Sequence, residues 1–407
     1  MVKSGFKKTE IGLIPLDWDI HRLAELVDFL DGQRRPVKSA DRAKMSGPIP
    51  YYGASGIVDY VNDFLFDEDL IFLGEDGENI LSRNQPLAFC ISGKAWVNNH
   101  AHVLRPRQST VIGYLAEYLE SLNYEHLNSG TAQPKLNKKT CLAIPVALPP
   151  TRAEQEAIAG VLSNADALIE SLDALIAKKR QIKQGAMQEL LTGNTRLPGF
   201  SDEWDDLLVE DVIERFFCGP SPTCEERNVT GAPEWGVLKT TAITWECGWD
   251  WTKHKTLPER YWEQSALEVK VGDVIVTKAG PRHRVGVVAW VDSVPERLIV
   301  SGKMICLRSK PSRAVALMLS AAIASRETQW FLDQRTTGMA ESQVNFQNGD
   351  LLRAPIRLPA VEEQTAIAAI LSDMDAEIAA LKTKLAKARQ IKQGMMQELL
   401  TGRIRLI

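Results

Sequence analysis

Two series of residues mix lysine with side-chain amides, imidazoles and hydroxyls at close spacing. Lys94, Asn98, Asn99, His100 and His102 open the first, and Gln133 and Lys135 follow, with Asn137, Lys138 and Lys139 behind them. The second runs through Lys239, Thr240 and Thr241, then Lys278, Arg282, His283 and Arg284, then Lys303, and last Ser342, Gln343 and Asn345. Asparagine and glutamine amides pair with adenine edges, arginine and lysine with guanine or phosphate, and hydroxyls with either, so this mixture is the chemistry of DNA reading. Taken singly, each cluster is more often a solvated loop than a binding site; recurrence at equivalent frame positions in both halves raises the case for binding. Trp235, Trp245, Trp249, Trp251 and Trp262 offer stacking surface, although Trp249-Asp250-Trp251 alternates as a strand would and points to core packing.

Other chemistries find less support. His100 and His102 could share a strand face and hold a metal, but no third ligand accompanies them, so no metal site is expected. The six cysteines form no Cys-x-x-Cys pair and read as buried reduced thiols. No phosphate-binding glycine loop, dinucleotide fingerprint or nucleophile elbow occurs, and Leu148-Pro149-Pro150-Thr151 lacks the amide and aromatic of an amino-methyltransferase motif. Pro258-Glu259 with Glu268-Val269-Lys270 is the nearest match to a Mg²⁺-dependent nuclease, and it has no counterpart in the first half. None of these patterns marks a catalytic or cofactor-binding residue by itself.

The 407 residues suit two or three domains, and 48 Lys+Arg against 52 Asp+Glu argue against a surface that is basic all over. No apolar run approaches the ~18–20 residues of a membrane span, and Met1–Glu10 lacks the apolar stretch of a signal peptide. A cytoplasmic protein without membrane contact is expected.

The elements that must position these residues come in two copies. Residues 155–197 and 364–406 align without a gap at an offset of 209 and share 27 of 43 positions. Weaker matches continue upstream: Gly130-Thr131-Ala132-Gln133 with Gly338-Met339-Ala340-Glu341, Ile91-Ser92-Gly93-Lys94 with Val300-Ser301-Gly302-Lys303, Asp69–Leu73 with Asp273–Thr277, and Asp17-Trp18 with Glu203-Trp204. Each 43-mer carries apolar residues every seven, without proline, as coiled coils do. At ~1.5 Å per residue each helix would span roughly 60 Å, too long to bury its stripe on one small domain. The two copies are therefore expected to pair, antiparallel, within the chain and to hold the globular units apart. Gly185 and Gly394 predict a break or a close contact. The globular units show short β-branched runs between turn residues, at Leu70–Leu73, Leu87–Ile91, Val274–Val276, Val285–Val291 and Leu298–Val300, with one helix each, near Val111–Leu122 and Ala314–Leu332. The fold class is α+β, with two strand-rich domains, two long helices and a pseudo-twofold internal repeat.

Leu148-Pro149-Pro150 leading to Glu154-Gln155 and Ile158, Leu358-Pro359 leading to Glu362-Glu363-Gln364 and Ile367, and the paired Lys-Gln-Gly-x-Met-Gln-Glu-Leu-Leu-Thr-Gly endings at 183–193 and 392–402 resemble the specificity subunits of type I restriction–modification systems. Thr9–Trp18 resembles that family's usual opening. The resemblance implies target recognition domains at 1–150 and 198–357, a central conserved helix at 151–197 and a C-terminal one at 358–407. It implies a non-catalytic chain that reads a bipartite double-stranded DNA site, with the clusters above as DNA-binding candidates. Two methyltransferase (modification) subunits and motor–nuclease (restriction) subunits would dock on the helices, and S-adenosylmethionine, Mg²⁺ and ATP would sit on those partners. A stand-alone nuclease using Glu259, Glu268 and Lys270, and a coiled-coil scaffold tethering two other ligands, are the competing readings.

Overall fold

The computed structural model describes residues 5–130, 133–245 and 248–406; Thr131, Ala132, Glu246, Cys247, Ile407, the residues before Gly5 and the side chain of Met339 lie outside that description. Five helices of eight residues or more occur among the described residues: α1 (Ile112–Ser121), α2 (Arg152–Leu190), α3 (Ala316–Ala324), α4 (Arg326–Asp333) and α5 (Val361–Leu399). The chain divides into a unit holding residues up to Leu175 together with those from Leu381 onward, and a unit of Ile176–Ala380.

In the first unit, Leu70–Gly74 is an unbroken apolar run, and all five residues are buried as the central part of a four-stranded antiparallel sheet. The strand order is Val27–Phe29, Ala101–Pro106, Leu70–Gly74, Ala88–Ile91, and α1 packs on the last two. A second four-stranded sheet has the order Gly56–Val61, Ile49–Gly53, Lys94–Val97, Phe66–Asp67, and in it Lys94–Val97 runs parallel to Ile49–Gly53. Asp19–Arg22 pairs with Pro145–Leu148, the strand that feeds α2 through Pro149 and Pro150.

The second unit repeats this plan by itself. Ile213–Phe217, Met304–Ser309, Val274–Thr277 and Val288–Trp290 form its antiparallel sheet. Gly236–Leu238 lies between His254–Thr256 and a parallel Leu298–Ile299, and Asp205–Leu208 pairs with Pro355–Leu358 ahead of α5. An added three-stranded ribbon joins Ala279–Gly280, Gln343–Asn345 and Thr337–Ala340.

Glutamines start both long helices in the same way. Gln155 Oε1 accepts from Val111 N–H at 2.9 Å and its amide donates to Pro149 O at 3.2 Å; Gln364 does the same with Val315 (2.8 Å) and Pro359 (2.8 Å). The buried carboxylate beside each glutamine meets an arginine that follows the other long helix. Arg405 forks onto Glu154 and onto Asp17, and Arg196 forks onto Glu363. Gly402 (φ +67°) and Gly193 (φ +74°) sit against Trp18 and Trp204, where a Cβ would meet the indole at 3.2 and 3.0 Å. The repeated Glu-Gln and Thr-Gly signatures are thus a docking device used once in each unit.

The long helices pack together antiparallel. In the first unit Arg389 meets Asp173 (2.8 Å) and Lys392 meets Asp166 (2.6 Å); in the second, Lys179 meets Glu377 (2.7 Å) and Lys183 meets Asp375 (2.5 Å). Ile176, Ile378, Leu381, Leu385 and Ala388 are buried, but Leu168, Leu175 and Ile182 on α2 and Ile391 on α5 face solvent, so part of the heptad stripe is left over.

Several expectations need correction. Gly185 and Gly394 both lie inside unbroken helices, and a Cβ added at either would meet nothing within 4 Å, so they mark neither a break nor a close contact. The single helix expected over Ala314–Leu332 is two, because the Ser325 side chain accepts from Thr328 N–H and starts α4. Trp249–Trp251 forms no strand; Trp249 makes one isolated bridge, to Ile243, and both indoles are partly buried against the core that holds Leu238, Ile243 and Val291. Of the five described cysteines, which are all free, Cys141 and Cys306 are buried while Cys90 is exposed. The upstream repeat frame also shifts. Glu75 N–H bonds His100 O and Lys278 N–H bonds Lys303 O, at 2.8 and 2.9 Å, so Lys303 is the counterpart of His100 and not of Lys94.

Candidate nucleic-acid interface

Three loops meet at one edge of each globular unit. In the first unit, Asn98–His100 joins the parallel strand to the main sheet, Glu75–Gly77 leaves the buried central strand, and the return loop through Gln133–Leu136 crosses both. Glu75 N–H donates to His100 O, Leu136 N–H donates to Glu75 O at 2.7 Å, and Gly77 N–H donates to Pro134 O at 3.0 Å. The second unit has the same stitching: Lys278 N–H to Lys303 O and Phe346 N–H to Lys278 O (3.2 Å), with Ala279 paired to Asn345. Asn99, His100, Gln133 and Lys135 of the first unit, and Lys278, Lys303, Ser342, Gln343 and Asn345 of the second, therefore converge from distant points of the sequence.

Beneath the first edge lies a charged cluster that sequence reasoning missed. His102, 1% exposed, directs Nδ1 to Asp31 at 2.8 Å and Nε2 to Leu136 O at 3.0 Å. A carbonyl only accepts, so Nε2 carries a proton, and the carboxylate takes the other. Burial works to lower this histidine's pKa, but the Asp31 bond and the neighbouring Cys141 outweigh it and carry the value up to about 10. Burial likewise works to raise Asp31 and Glu75. The His102 bond holds Asp31, and Arg34 (2.6 Å) with His102 holds Glu75, below the ordinary carboxylate value. Lys135 reaches Glu75 at 3.2 Å. The signal for this cluster was Asp31-Gly32-Gln33-Arg34-Arg35, a charged turn whose partners lie more than forty residues away.

The second edge is cationic. Lys239, Thr240, Thr241 and Lys303 line one cavity of about 430 Å³ with Lys255, Ser221 and Ser301. Glu226 binds both Lys239 (3.3 Å) and Lys255. Lys278 donates to Asn348 Oδ1 at 3.0 Å. Arg284 donates to the carbonyls of Thr240 and Ile243 and so holds the lining segment in place, whereas Arg282 is engaged by Asp333 (2.6 Å) and Glu341 (3.1 Å).

Some expected residues do other work. His102 is a buried structural cation, and Asn98 is a buried turn residue accepting from His100 N–H at 2.8 Å. Lys94 lies over the Phe64 ring, 4.7 Å from its centroid, at the start of its strand. His100 binds Asp76 at 2.9 Å. Among the described residues no group of three or more His, Cys, Asp and Glu is placed to hold a metal ion. Glu268 accepts from Arg297 N–H at 2.7 Å, and Glu259 is exposed on a separate 3₁₀ turn. No described helix is long and apolar enough to cross a membrane.

One α+β frame is built twice, with different side chains on the same three loops and a long helix after each copy. The family model for the type I restriction modification DNA specificity domain matches residues 15–181 and again 202–390, and the chain belongs to that family. It is 30% identical over 246 residues to the type I restriction enzyme EcoEI specificity subunit of Escherichia coli, a match covering 58% of this chain and 41% of that relative. The MjaVIII specificity subunit of Methanocaldococcus jannaschii is 23% identical over 441 residues, 99% of this chain and 97% of the relative. The fold is similar to that of the type I restriction–modification S subunit from M. genitalium, with a TM-score of 0.58 at 14% identity over 94% of this chain and 96% of that one.

Proposed function

We propose that this chain is the DNA specificity subunit of a type I restriction–modification complex. Residues 1–150 and 198–357 are its target recognition domains, each reading one half of a bipartite double-stranded site with the three-loop edge. The observation that carries this reading is that the family match falls twice, on two copies of one backbone frame whose loops differ in side chains. A shared frame preserves how DNA is approached, while different side chains ask for different bases. The near-identical helices answer to a common partner: they set the spacer and dock two modification subunits, with the motor–nuclease subunits joining for cleavage. The chain itself holds no cofactor, and S-adenosylmethionine, Mg²⁺ and ATP belong to those subunits. An overall charge of −4 is compatible with this if partners share the phosphate contacts.

Co-expression with the modification subunits, followed by mapping of methylated adenines, tests it. A split motif with a fixed spacer is expected. Methylation that is absent, or present without a bipartite motif, overturns the reading.

A further inference from the structure

Glu75 and Lys278 occupy the same place in the two recognition domains. Each follows the buried central strand, donates its N–H to the carbonyl that ends the neighbouring loop (His100 or Lys303), and accepts at its own carbonyl from the return loop (Leu136 or Phe346). At this one shared position the side chains have opposite charge and opposite hydrogen-bonding sense. The Glu75 carboxylate gathers Arg34, His102 and Lys135. The Lys278 ammonium is held instead by Asn348 Oδ1 and lies against Cys218 Sγ, 3.6 Å away.

We propose that position 75/278 is the node that makes the two domains accept different half-sites, acting as a positioning residue for the return loop and its readers. This rests on the DNA-specificity reading above. The Glu75 side chain is 13% exposed and that of Lys135 is 50% exposed, so the carboxylate is the anchor and the lysine is the group presented outward. Removing the anchor's charge leaves the backbone stitching of the loop intact while releasing Lys135 from one orientation. In the second domain the node is itself the cation, and the return loop offers Ser342, Gln343 and Asn345, all exposed, in place of a lysine. An ammonium at the node excludes a second cation beside it, whereas a carboxylate recruits one. The two edges therefore present different donor and acceptor patterns on the same backbone path.

The test uses the full chain assembled with its modification subunits and a duplex pool randomised in both half-sites. Glu75→Gln is expected to lower discrimination at one or two base pairs of one half-site by about tenfold, with the other half unchanged. Lys135→Ala should reproduce that change, and its exposed side chain makes it a variant that keeps the fold. Lys278→Met should act on the other half only, and Lys278→Arg should restore most of its discrimination. A purely structural role would lower the melting temperature and weaken all sequences alike; unchanged discrimination, or loss at both halves from one substitution, overturns the proposal. If the wild-type complex selects no bipartite sequence, it is the specificity reading that fails instead.

Discussion

At the scale of single residues, the duplicated chain keeps its backbone and varies its charges. The Asp31–His102–Glu75 cluster ties the return loop of the first domain to its sheet, and its stability contribution is bounded on both sides. His102 is raised above the unfolded histidine value, so its contribution is full below about pH 6.5 and fades as pH climbs toward 10. The two carboxylates are lowered, so theirs is full above about pH 4 and is lost as pH falls through their folded values. His102→Gln should cost about 3 kcal/mol near pH 6 by leaving Asp31 buried without its cation, and thermal melts of the two proteins should converge only as pH rises through about 10. Glu117 shows the reverse sign. Burial, with Asp166 nearby, pushes it to about 7 although Lys392 lies 3.0 Å away, and the equivalent residue on α3 is Ala321. Its ionised form therefore opposes folding. Glu117→Gln should raise stability by of order 1 kcal/mol at pH 8, with the gain shrinking as pH falls from 7 toward 4.5, measured by denaturant titration across that range.

Secondary-structure elements explain why the two 43-residue repeats stayed alike. The buried Gln155 and Gln364 side chains each satisfy the N–H of the residue that precedes a domain helix and a carbonyl ahead of a long helix. Gln155→Ala or Gln364→Ala leaves those groups unpaired and should cost about 1–3 kcal/mol, read as a lower melting midpoint. The exposed stripe Leu168, Leu175 and Ile182 belongs to α2 alone, because α5 carries Glu377, Lys384 and Ile391 at the matching positions. Transferring the polar pair, as Leu168→Glu with Leu175→Lys, should leave the melting temperature within a few degrees. It should weaken co-purification with the modification subunits, since an exposed apolar stripe favours a covering partner. Undiminished co-purification would remove α2's stripe from that interface.

For the whole molecule, the proposal that the paired helices set the spacer gives the sharpest expectation. Seven residues inserted after Ala177 and seven after Ala386 keep the heptad, and the ion pairs Asp173–Arg389, Asp166–Lys392, Lys179–Glu377 and Lys183–Asp375 all lie outside the inserted stretch. The added rise is roughly 10 Å, about three base pairs, with about 100° of rotation along the duplex. The expected outcome is loss of binding to the native site and, where DNA twists to compensate, a longer spacer in the methylated motif. An assembled double insertion with the native spacer would assign that distance to the partner subunits.

The duplication, the helix pairing and the strand-rich domains were legible from residue order alone, because heptad spacing, turn residues and a gapless 43-residue match are local patterns. So was the family, carried by Glu154-Gln155, Glu363-Gln364 and the Thr-Gly endings, though not what those residues do. Arg405 against Glu154 and Arg196 against Glu363 close contacts over 251 and 167 positions, which no local pattern encodes. The candidate interface was half visible. Lysines and amides announced themselves by type, but a type does not say whether a side chain faces solvent, and His102, Asn98 and Arg284 are engaged inside their own units. Glu75 and Lys278 were equivalent only once backbone hydrogen bonds aligned them, since the intervening loops differ in length and the sequence frame set Lys303 against Lys94. Tertiary packing decided which charges meet, and with it the difference between two copies of one fold.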